Sequence, residues 1–182
     1  MIRFFDFVAS AVGLLLGLPV LISLAALVWL DNRAPLFRQT RLGRGQRAFT
    51  LVKFRTMRLD TADVPTHMVA SSAVTPLGGF LRRTKLDELP QLWNVLRGDM
   101  SLVGPRPGLP SQTELVRARE AAGVFAARPG ITGLAQLRGI DMSTPELLAQ
   151  TDAEMLRELD LKNYFTYIFL TLLGRGGGDR IK

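Results

Sequence analysis

The chain has 182 residues, of which 47% are hydrophobic and 21% are charged, and its formal net charge at pH 7 is +7. This apolar content excludes a disordered tail, and the length predicts one compact domain with room for a small appendage. With no cysteine and one histidine, the chain has no disulfides, thiolate metal sites or histidine-centred zinc sites. The positive charge predicts an anionic partner: nucleic acid, an anionic membrane surface or a phosphorylated substrate.

An uncharged apolar run, FVASAVGLLLGLPVLISLAALVWL (7–30), dominates the N-terminus. At about 1.5 Å per residue, a helix of this length can cross a hydrocarbon core of about 30 Å. Pro19 has no N–H to donate, so we expect the helix to kink or break at Leu18-Pro19. Basic charges at Arg3 and after Arg33 favour one cytoplasmic side for both ends, and hence a re-entrant helix, with a kinked span as the alternative.

The next segment, residues 33–58, holds eight Lys and Arg residues and no acidic residue. Within it, LFRQTRLG and RAFTLVKF flank the turn-rich RGQ and predict a β-hairpin around residues 43–46. Lys53 and Arg55 alternate along the second strand, so both should face one side while Phe54 faces the other. Beside an apolar anchor, such a basic segment is also suited to anionic lipid headgroups.

The rest of the chain predicts a mixed α/β fold that is mainly helical, with the small β-hairpin as its sheet. We expect a polar loop with a short helix at 60–78, a helix ended by a glycine at 90–98 and a strand running into a rigid turn at 101–107. An amphipathic helix at 111–127, a turn with a short strand at 128–136 and a further helix at 145–158 should follow. The segment YFTYIFLTLL (164–173) is too short to span a bilayer and fits either an interfacial helix or a core helix.

Two adjacent carboxylates, Asp87 and Glu88, lie between three cations and a proline in LRRTKLDELPQL (81–92). The structural interpretation is that Asp87 caps a helix beginning near Pro90. The chemical interpretation is that one acid attacks phosphorus while the other holds Mg²⁺, which binds one or two carboxylates together with phosphate oxygens. A glycosidase pair is excluded, because such carboxylates stand about 5–9.5 Å apart on opposite sides of the sugar bond.

Three strings, KFRTM (53–57), LDELPQLWNVLRGDMSLVGPRP (86–107) and RPGITGLAQ (128–136), together resemble the bacterial sugar transferase family, the small monotopic phosphoglycosyl transferases. The resemblance covers nearly the whole chain. It implies transfer of a phospho-sugar from a UDP-sugar to polyprenyl (undecaprenyl) phosphate, giving polyprenyl-diphosphate-sugar and UMP, with Mg²⁺ as cofactor. This reaction would be the first membrane step of glycoconjugate synthesis.

The resemblance also implies a domain organisation. Residues 1–32 would form the re-entrant membrane helix, broken at Leu18-Pro19, and residues 33–182 a catalytic domain with interfacial amphipathic helices. The protein would then lie in the bacterial inner membrane with its active site facing the cytoplasm, where anionic lipids are further partners.

By the same resemblance, Asp87 would attack the β-phosphorus of the UDP-sugar and carry the phospho-sugar covalently. Glu88 would hold Mg²⁺, with Asp87 beside it. Arg82 and Arg106 match positions that hold phosphates, and Pro107 limits the backbone freedom next to Arg106. The structural alternative for Arg106 is a salt bridge with Asp99.

Four further positions carry over as substrate-binding candidates. Lys53 and Arg55 suit either the substrate site or a lipid headgroup. Gln136 and Asp160 lie in regions that face the site in relatives, and a surface role is the alternative for each.

Two other function classes compete with the enzyme. A non-catalytic membrane-anchored adaptor would use the basic surface to bind anionic lipid. Nucleic-acid binding is disfavoured, because the chain lacks an aromatic-basic RNA motif or a helix-turn-helix and has an apolar anchor.

Overall fold

The computed structural model describes residues 1–61 and 73–176, and in this part of the chain helices predominate. The elements, in chain order, are α1 (Ile2–Asn32), β1 (Leu36–Leu42), β2 (Ala48–Phe54), α2 (Pro76–Thr84), α3 (Gln91–Arg97), β3 (Ser101–Val103), α4 (Thr113–Ala121), β4 (Gly130–Thr132), α5 (Leu134–Leu137), α6 (Pro145–Glu158) and α7 (Leu161–Leu172). Single 3₁₀ turns lie at Arg44–Gln46, Leu86–Glu88 and Val124–Ala126. The expectation of a mainly helical chain with small β-structure is confirmed.

The strands form two separate pairs. β1 and β2 are the predicted antiparallel hairpin, in register from Leu36 opposite Phe54 to Leu42 opposite Ala48. β3 and β4 are a short parallel pair that the sequence did not predict as a sheet. This second pair brings the GPRP and RPGITG segments side by side.

The helix boundaries follow local sequence signals closely. α3 ends at Gly98, whose φ of +89° is the left-handed conformation that glycine adopts at low cost. α4 is shorter than predicted, because Gly123 adopts a φ of +70° and a separate 3₁₀ turn follows. Most of the loop predicted for residues 60–78 lies outside the described residues. At its end, α2 begins at Pro76, and the hydroxyl of Thr75 accepts a hydrogen bond from the amide of Gly78.

α1 is one helix of 31 residues that contains Pro19, so the structure shows no interruption at Leu18-Pro19. A proline inside a helix costs one backbone hydrogen bond and bends the axis, and a long helix can absorb both. The Ser23 hydroxyl donates to the Pro19 carbonyl, 2.9 Å away, within the next turn. The re-entrant path of this helix stays a prediction.

Both ends of α1 are held by the rest of the protein. Near its start, the buried Asp6 carboxylate accepts hydrogen bonds from the Ser101 hydroxyl (2.9 Å), the Leu102 amide (2.9 Å) and the Tyr164 hydroxyl (2.8 Å). Near its end, two aliphatic side chains pack into the core against β2 and α2; this cluster comprises Leu24, Val28, Phe54 and Leu81. The anchor is therefore packed against the following residues near both of its ends.

The outward side of α1 is apolar and uncovered. Only five of its 31 residues are buried. Its exposed side chains include Phe4, Phe7, Val12, Leu15, Leu16, Leu18, Ile22, Leu27, Trp29 and Leu30. An apolar surface of this extent is not expected on a water-exposed face, and the helix is long and apolar enough to cross a membrane. These features indicate membrane association.

α7 combines the two roles that the sequence left open. Tyr164 and Tyr167 are buried in a cluster with Val103 and Met155. On the other side of the helix, large apolar side chains are exposed: Phe165, Phe169 and Leu172. α7 is therefore amphipathic, with one side in the core and one available to an interface.

Candidate active site

Asp87 and Glu88 lie on the 3₁₀ turn that joins α2 to α3. α2 ends at Thr84, and the next residue, Lys85, has a φ of +58° and donates its amide to the Arg82 carbonyl. A lysine in this left-handed conformation is strained by about 1–2 kcal/mol, a cost found mostly at functional turns. The reversal directs Asp87 inward, where it is 5% exposed, whereas Glu88 is only partly buried.

Asp87 does not cap the following helix. α3 begins at Gln91, with Pro90 in the capping position and without a side-chain capping hydrogen bond. The helix-cap interpretation of Asp87 is therefore wrong, because the 3₁₀ turn and Pro90 intervene. Helix capping therefore does not explain why the Asp87 carboxylate is buried.

Glu88 is paired with Arg106 from the GPRP turn. Arg106 Nη2 lies 2.8 Å from Glu88 Oε1, and both side chains are largely buried. The structural alternative for Arg106 is a salt bridge with Asp99; Arg106 does form a salt bridge, but its partner is Glu88, and Asp99 pairs with Arg97 at 3.5 Å. The turn after β3 carries Arg106 to the carboxylate pair.

Lys85 adds positive charge beside Glu88, and Arg82 lies in the last turn of α2, just before the carboxylates in the chain. The Lys85 ammonium donates to the Arg175 carbonyl, 2.7 Å away. Burial lowers the pKa of Lys85, with Glu88 opposing this shift and Arg106 adding to it. Arg82 Nε donates to the Thr56 hydroxyl at 2.8 Å, which ties α2 to the end of the KFRTM segment.

A close backbone contact fixes this junction between α2 and KFRTM. A Cβ atom on Gly78 would lie 2.0 Å from the Thr56 carbonyl oxygen, so only glycine lets the two segments approach this closely. The Thr75 amide donates to the same carbonyl at 3.1 Å. Arg82, one turn further along α2, is thereby held beside Thr56.

Lys53 and Arg55 lie on the same side of the hairpin, as predicted. The Lys53 ammonium lies 5.6 Å and the Arg55 guanidinium 5.3 Å from the centre of the Phe37 ring. Phe54 points the other way, into the core cluster with Leu24. Lys53 is 6% exposed and thus lies beneath the surface, which favours a role within the protein over a headgroup contact.

The GPRP and RPGITG segments meet through their backbones. A Cβ on Gly130 would lie 2.0 Å from the Gly104 amide nitrogen, and one on Gly133 would lie 2.5 Å from the Gly104 carbonyl oxygen. Gln136, which follows on α5, donates to the Ile131 carbonyl at 3.2 Å, and its side-chain oxygen is buried without a partner.

Asp160 has a structural explanation. It is exposed and caps α7, where its carboxylate accepts from the Asn163 amide at 2.7 Å. Among the described residues, none of its hydrogen bonds joins it to Asp87 or Glu88. The structure does not bring Asp160 to the carboxylate pair.

Sequence reasoning missed two buried arginines behind the GPRP turn. Arg119 Nη1 donates to the Arg106 carbonyl at 2.8 Å, and Arg41 Nη1 donates to the Pro107 carbonyl at 3.0 Å. Both lie in segments rich in exposed cations, so nothing in the local sequence distinguishes them. Asp152, the buried acid that pairs with Arg119, looks equally ordinary in the sequence of α6.

The carboxylate pair fits a magnesium ion bound mainly by substrate. Within residues 1–61 and 73–176, no group of three or more His, Cys, Asp or Glu side chains is close enough to hold a metal. Mg²⁺ usually keeps several waters and binds one or two carboxylates plus phosphate oxygens. Glu88, with Asp87 beside it, can supply that smaller set.

Two carboxylates on one turn, surrounded by cations and next to an apolar anchor, define a site suited to phosphate groups at a membrane surface. The family model described as bacterial sugar transferase matches residues 1–175. The chain therefore belongs to the bacterial sugar transferase family.

Curated relatives carry names of the same kind. The chain is 46% identical over 155 residues to the UDP-glucose:undecaprenyl-phosphate glucose-1-phosphate transferase of Caulobacter vibrioides, which covers 81% of this chain and 58% of the relative. It is 39% identical over 177 residues to the Escherichia coli protein of that name, covering 92% and 38%. It is 35% identical over 187 residues to the UDP-galactose-lipid carrier transferase of Erwinia amylovora, covering 93% and 39%. The chain thus spans roughly two fifths to three fifths of the length of these relatives.

Proposed function

We propose that this chain transfers a phospho-sugar from a UDP-sugar to undecaprenyl phosphate, releasing UMP, through a covalent intermediate on Asp87. The observation that carries the proposal is the Leu86–Glu88 turn, which places a buried carboxylate next to a second carboxylate that is paired with Arg106. Family membership and the names of the relatives supply the reaction class.

The chemistry takes place in two displacements at one phosphorus. An Asp87 oxygen attacks the β-phosphorus of the UDP-sugar, and the bond from that phosphorus to the bridging oxygen breaks, so that UMP leaves. A phosphate oxygen of undecaprenyl phosphate then attacks the same phosphorus, and the Asp87 carboxylate leaves unchanged. One difficult transfer is thereby divided into two steps that use the same small site in turn.

The remaining residues bind and orient the phosphates. Arg82 and Arg106 offer planar guanidinium groups that bind phosphate oxygens in pairs. Lys85, Lys53 and Arg55 add positive charge that attracts both anionic substrates. Glu88, with Asp87 nearby, would hold Mg²⁺, which would neutralise part of the phosphate charge during the displacement.

α1 places this chemistry at the membrane surface. We propose that it enters and leaves the bilayer by the cytoplasmic face of the bacterial inner membrane. Support comes from its two ends, since Asp6 and Val28 both pack against the body that carries the site. The exposed apolar sides of α1 and α7 would then lie in lipid and would hold the site at the headgroup level, where the phosphate of undecaprenyl phosphate lies. Anionic lipids would contact the surrounding arginines.

The test is an assay for UMP with purified protein, Mg²⁺, undecaprenyl phosphate and a panel of UDP-sugars. We expect one or more donors to give UMP, dependent on undecaprenyl phosphate and abolished in Asp87→Asn. Asp31→Asn is the matched control, because Asp31 is an exposed carboxylate near the end of α1 and belongs to neither the Leu86–Glu88 turn nor the GPRP turn. An absence of UMP across a broad panel would contradict the proposal and favour the lipid-binding adaptor.

A further inference from the structure

The GPRP turn and the following Gly108 are held largely through their carbonyl groups, in addition to the Gly104 amide, which donates to the Thr132 carbonyl at 2.9 Å. Pro105 and Pro107 have no N–H, so the turn has few backbone donors for hydrogen bonds to neighbouring segments. Instead, four successive carbonyls each accept one hydrogen bond. The acceptor and donor pairs are Pro105 with the Gly130 amide (2.8 Å), Arg106 with Arg119 (2.8 Å), Pro107 with Arg41 (3.0 Å) and Gly108 with the Leu42 amide (3.0 Å).

The two central donors are buried guanidinium groups from different elements. Arg41 comes from β1 and Arg119 from α4, and they are 7% and 3% exposed. The two carbonyls belong to consecutive peptide groups, Arg106–Pro107 and Pro107–Gly108, so Arg119 and Arg41 hold the backbone on both sides of the Pro107 Cα. A planar guanidinium offers five donors in a fixed fork, so it can serve a carbonyl and a second acceptor at once.

Arg119 is oriented in turn by Asp152. Arg119 Nε and Nη2 lie 3.0 Å and 2.7 Å from the same Asp152 oxygen, and Asp152 is fully buried on α6. Burying such a pair is costly, and apolar replacements of buried pairs are often as stable or more stable. Stability alone therefore does not account for the pair, whereas the need to aim one donor at the Arg106 carbonyl does.

We propose that Arg41 and Arg119 are positioning residues that hold the GPRP turn so that the Arg106 side chain meets Glu88 and the substrate phosphate. The inference rests on the proposed function and deepens it. Neither arginine touches the reacting atoms; both act through Arg106. Because the turn is already fixed, Arg106 loses less conformational entropy when it binds phosphate, and its guanidinium stays within reach of the phosphate.

The test compares two arginine-to-lysine changes on arginines that pair with α6. Arg119→Lys keeps the charge beside Asp152, but one ammonium cannot reproduce the fork that also reaches the Arg106 carbonyl. Arg138→Lys is the matched control: Arg138 pairs with Glu154 at 2.8 Å on the exposed side of α6, and among the described residues none of its hydrogen bonds reaches the GPRP turn. We expect Arg119→Lys to raise the KM for UDP-sugar about tenfold with a smaller effect on kcat, and Arg138→Lys to change it less than about twofold.

A double-mutant cycle separates positioning from a general structural role. On an Arg106→Ala background, Arg119→Lys should raise KM no further, because its effect passes through the missing side chain. An equal effect in both backgrounds, or no change in KM in the single variant, would overturn the inference. Arg41→Lys gives a second cycle with the same expectation if Arg119→Lys does not fold. Failure of the unmodified chain to release UMP would instead contradict the proposed function.

Discussion

The guanidinium of Arg106 and the carboxylate of Glu88 lie 2.8 Å apart, although 18 positions separate them in the chain. The contact joins the GPRP turn to the Leu86–Glu88 turn and so unites the two most distinctive stretches of the sequence. It also couples two proposed roles, because the residue proposed to hold Mg²⁺ is paired with one proposed to hold phosphate. A change in either side chain should therefore alter both properties.

The first prediction concerns Asp87. We expect Asp87→Asn to lower the rate of UMP release by a factor on the order of 10³ or more, because an amide does not replace a carboxylate nucleophile. Incubating the unmodified protein with donor alone should add the mass of the phospho-sugar to the peptide that contains Asp87. Turnover without any such adduct, under conditions that trap acyl-phosphates, would rule out the covalent route.

The second prediction concerns Glu88. Glu88→Gln should raise the Mg²⁺ concentration for half-maximal UMP release roughly tenfold, because the amide is a weaker ligand and no longer balances the charge of Arg106. A Mg²⁺ titration of both proteins measures this. Glu154→Gln, which removes the carboxylate of an exposed pair with Arg138, should leave the titration unchanged. Identical titrations for Glu88→Gln and the unmodified protein would exclude Glu88 as a ligand.

The third prediction concerns the junction of α2 with KFRTM. Gly78→Ala would place a Cβ 2.0 Å from the Thr56 carbonyl oxygen, so α2 must shift and the Arg82–Thr56 hydrogen bond should be lost. We expect the free energy of unfolding to fall by roughly 1–3 kcal/mol, with a loss of activity. Gly79→Ala is the control on the same helix, because its Cβ would meet only the end of Arg83 at 3.5 Å. Unfolding measured in detergent compares Gly78→Ala with Gly79→Ala. Equal free energies of unfolding for the two variants would contradict the prediction that the close contact between Gly78 and Thr56 requires glycine.

The fourth prediction concerns the buried end of α1. Tyr164→Phe removes the hydroxyl that donates to Asp6 at 2.8 Å, which should lower the free energy of unfolding by about 2 kcal/mol. Burial and the neighbouring Asp6 carboxylate both raise the pKa of Tyr164, so the hydroxyl stays protonated and keeps donating at any pH where the protein works. Tyr167→Phe removes a hydroxyl with no hydrogen bond among the described residues and should cost less than about 0.5 kcal/mol. A larger loss of unfolding free energy in Tyr167→Phe than in Tyr164→Phe would contradict the stabilising role of the Tyr164–Asp6 hydrogen bond.

The fifth prediction concerns membrane topology. The chain has no cysteine, so Ile2→Cys and Ala34→Cys each introduce a single thiol, one at either end of α1. Both thiols should react with an impermeant reagent in inverted inner-membrane vesicles and neither in spheroplasts. Labelling from opposite sides would show that α1 spans the bilayer.

Local signals predicted most of the elements correctly. The alternation and turn residues at 36–54 predicted the hairpin, and Pro145 with the following periodicity predicted α6. Alternation also placed Lys53 and Arg55 on one side of the hairpin, where both cations lie near the Phe37 ring. Such features depend on neighbours along the chain, and the sequence shows those neighbours directly.

The errors and omissions come from contacts between distant segments. The Arg106–Glu88 pair and the Arg119–Asp152 pair arise only when the turns and helices pack, and exposed arginines nearby look the same in the sequence. Pro19 is a case in which the local signal was misleading. A proline usually breaks or kinks a helix, but α1 continues as a helix on both sides of Pro19. The motif resemblance identified the carboxylate pair, but it did not reveal the arginines that hold the turn behind it.

The hydrogen bonds at Asp6 and the packing at Val28 have a practical consequence for preparing this protein. α1 is not a detachable leader, because removing residues 1–32 would strip a carboxylate from three buried donors and expose the apolar side chains of Phe54 and Leu81 to water. A shortened, water-soluble fragment should therefore aggregate rather than fold, and detergent or lipid is needed even for experiments that concern only the soluble donor.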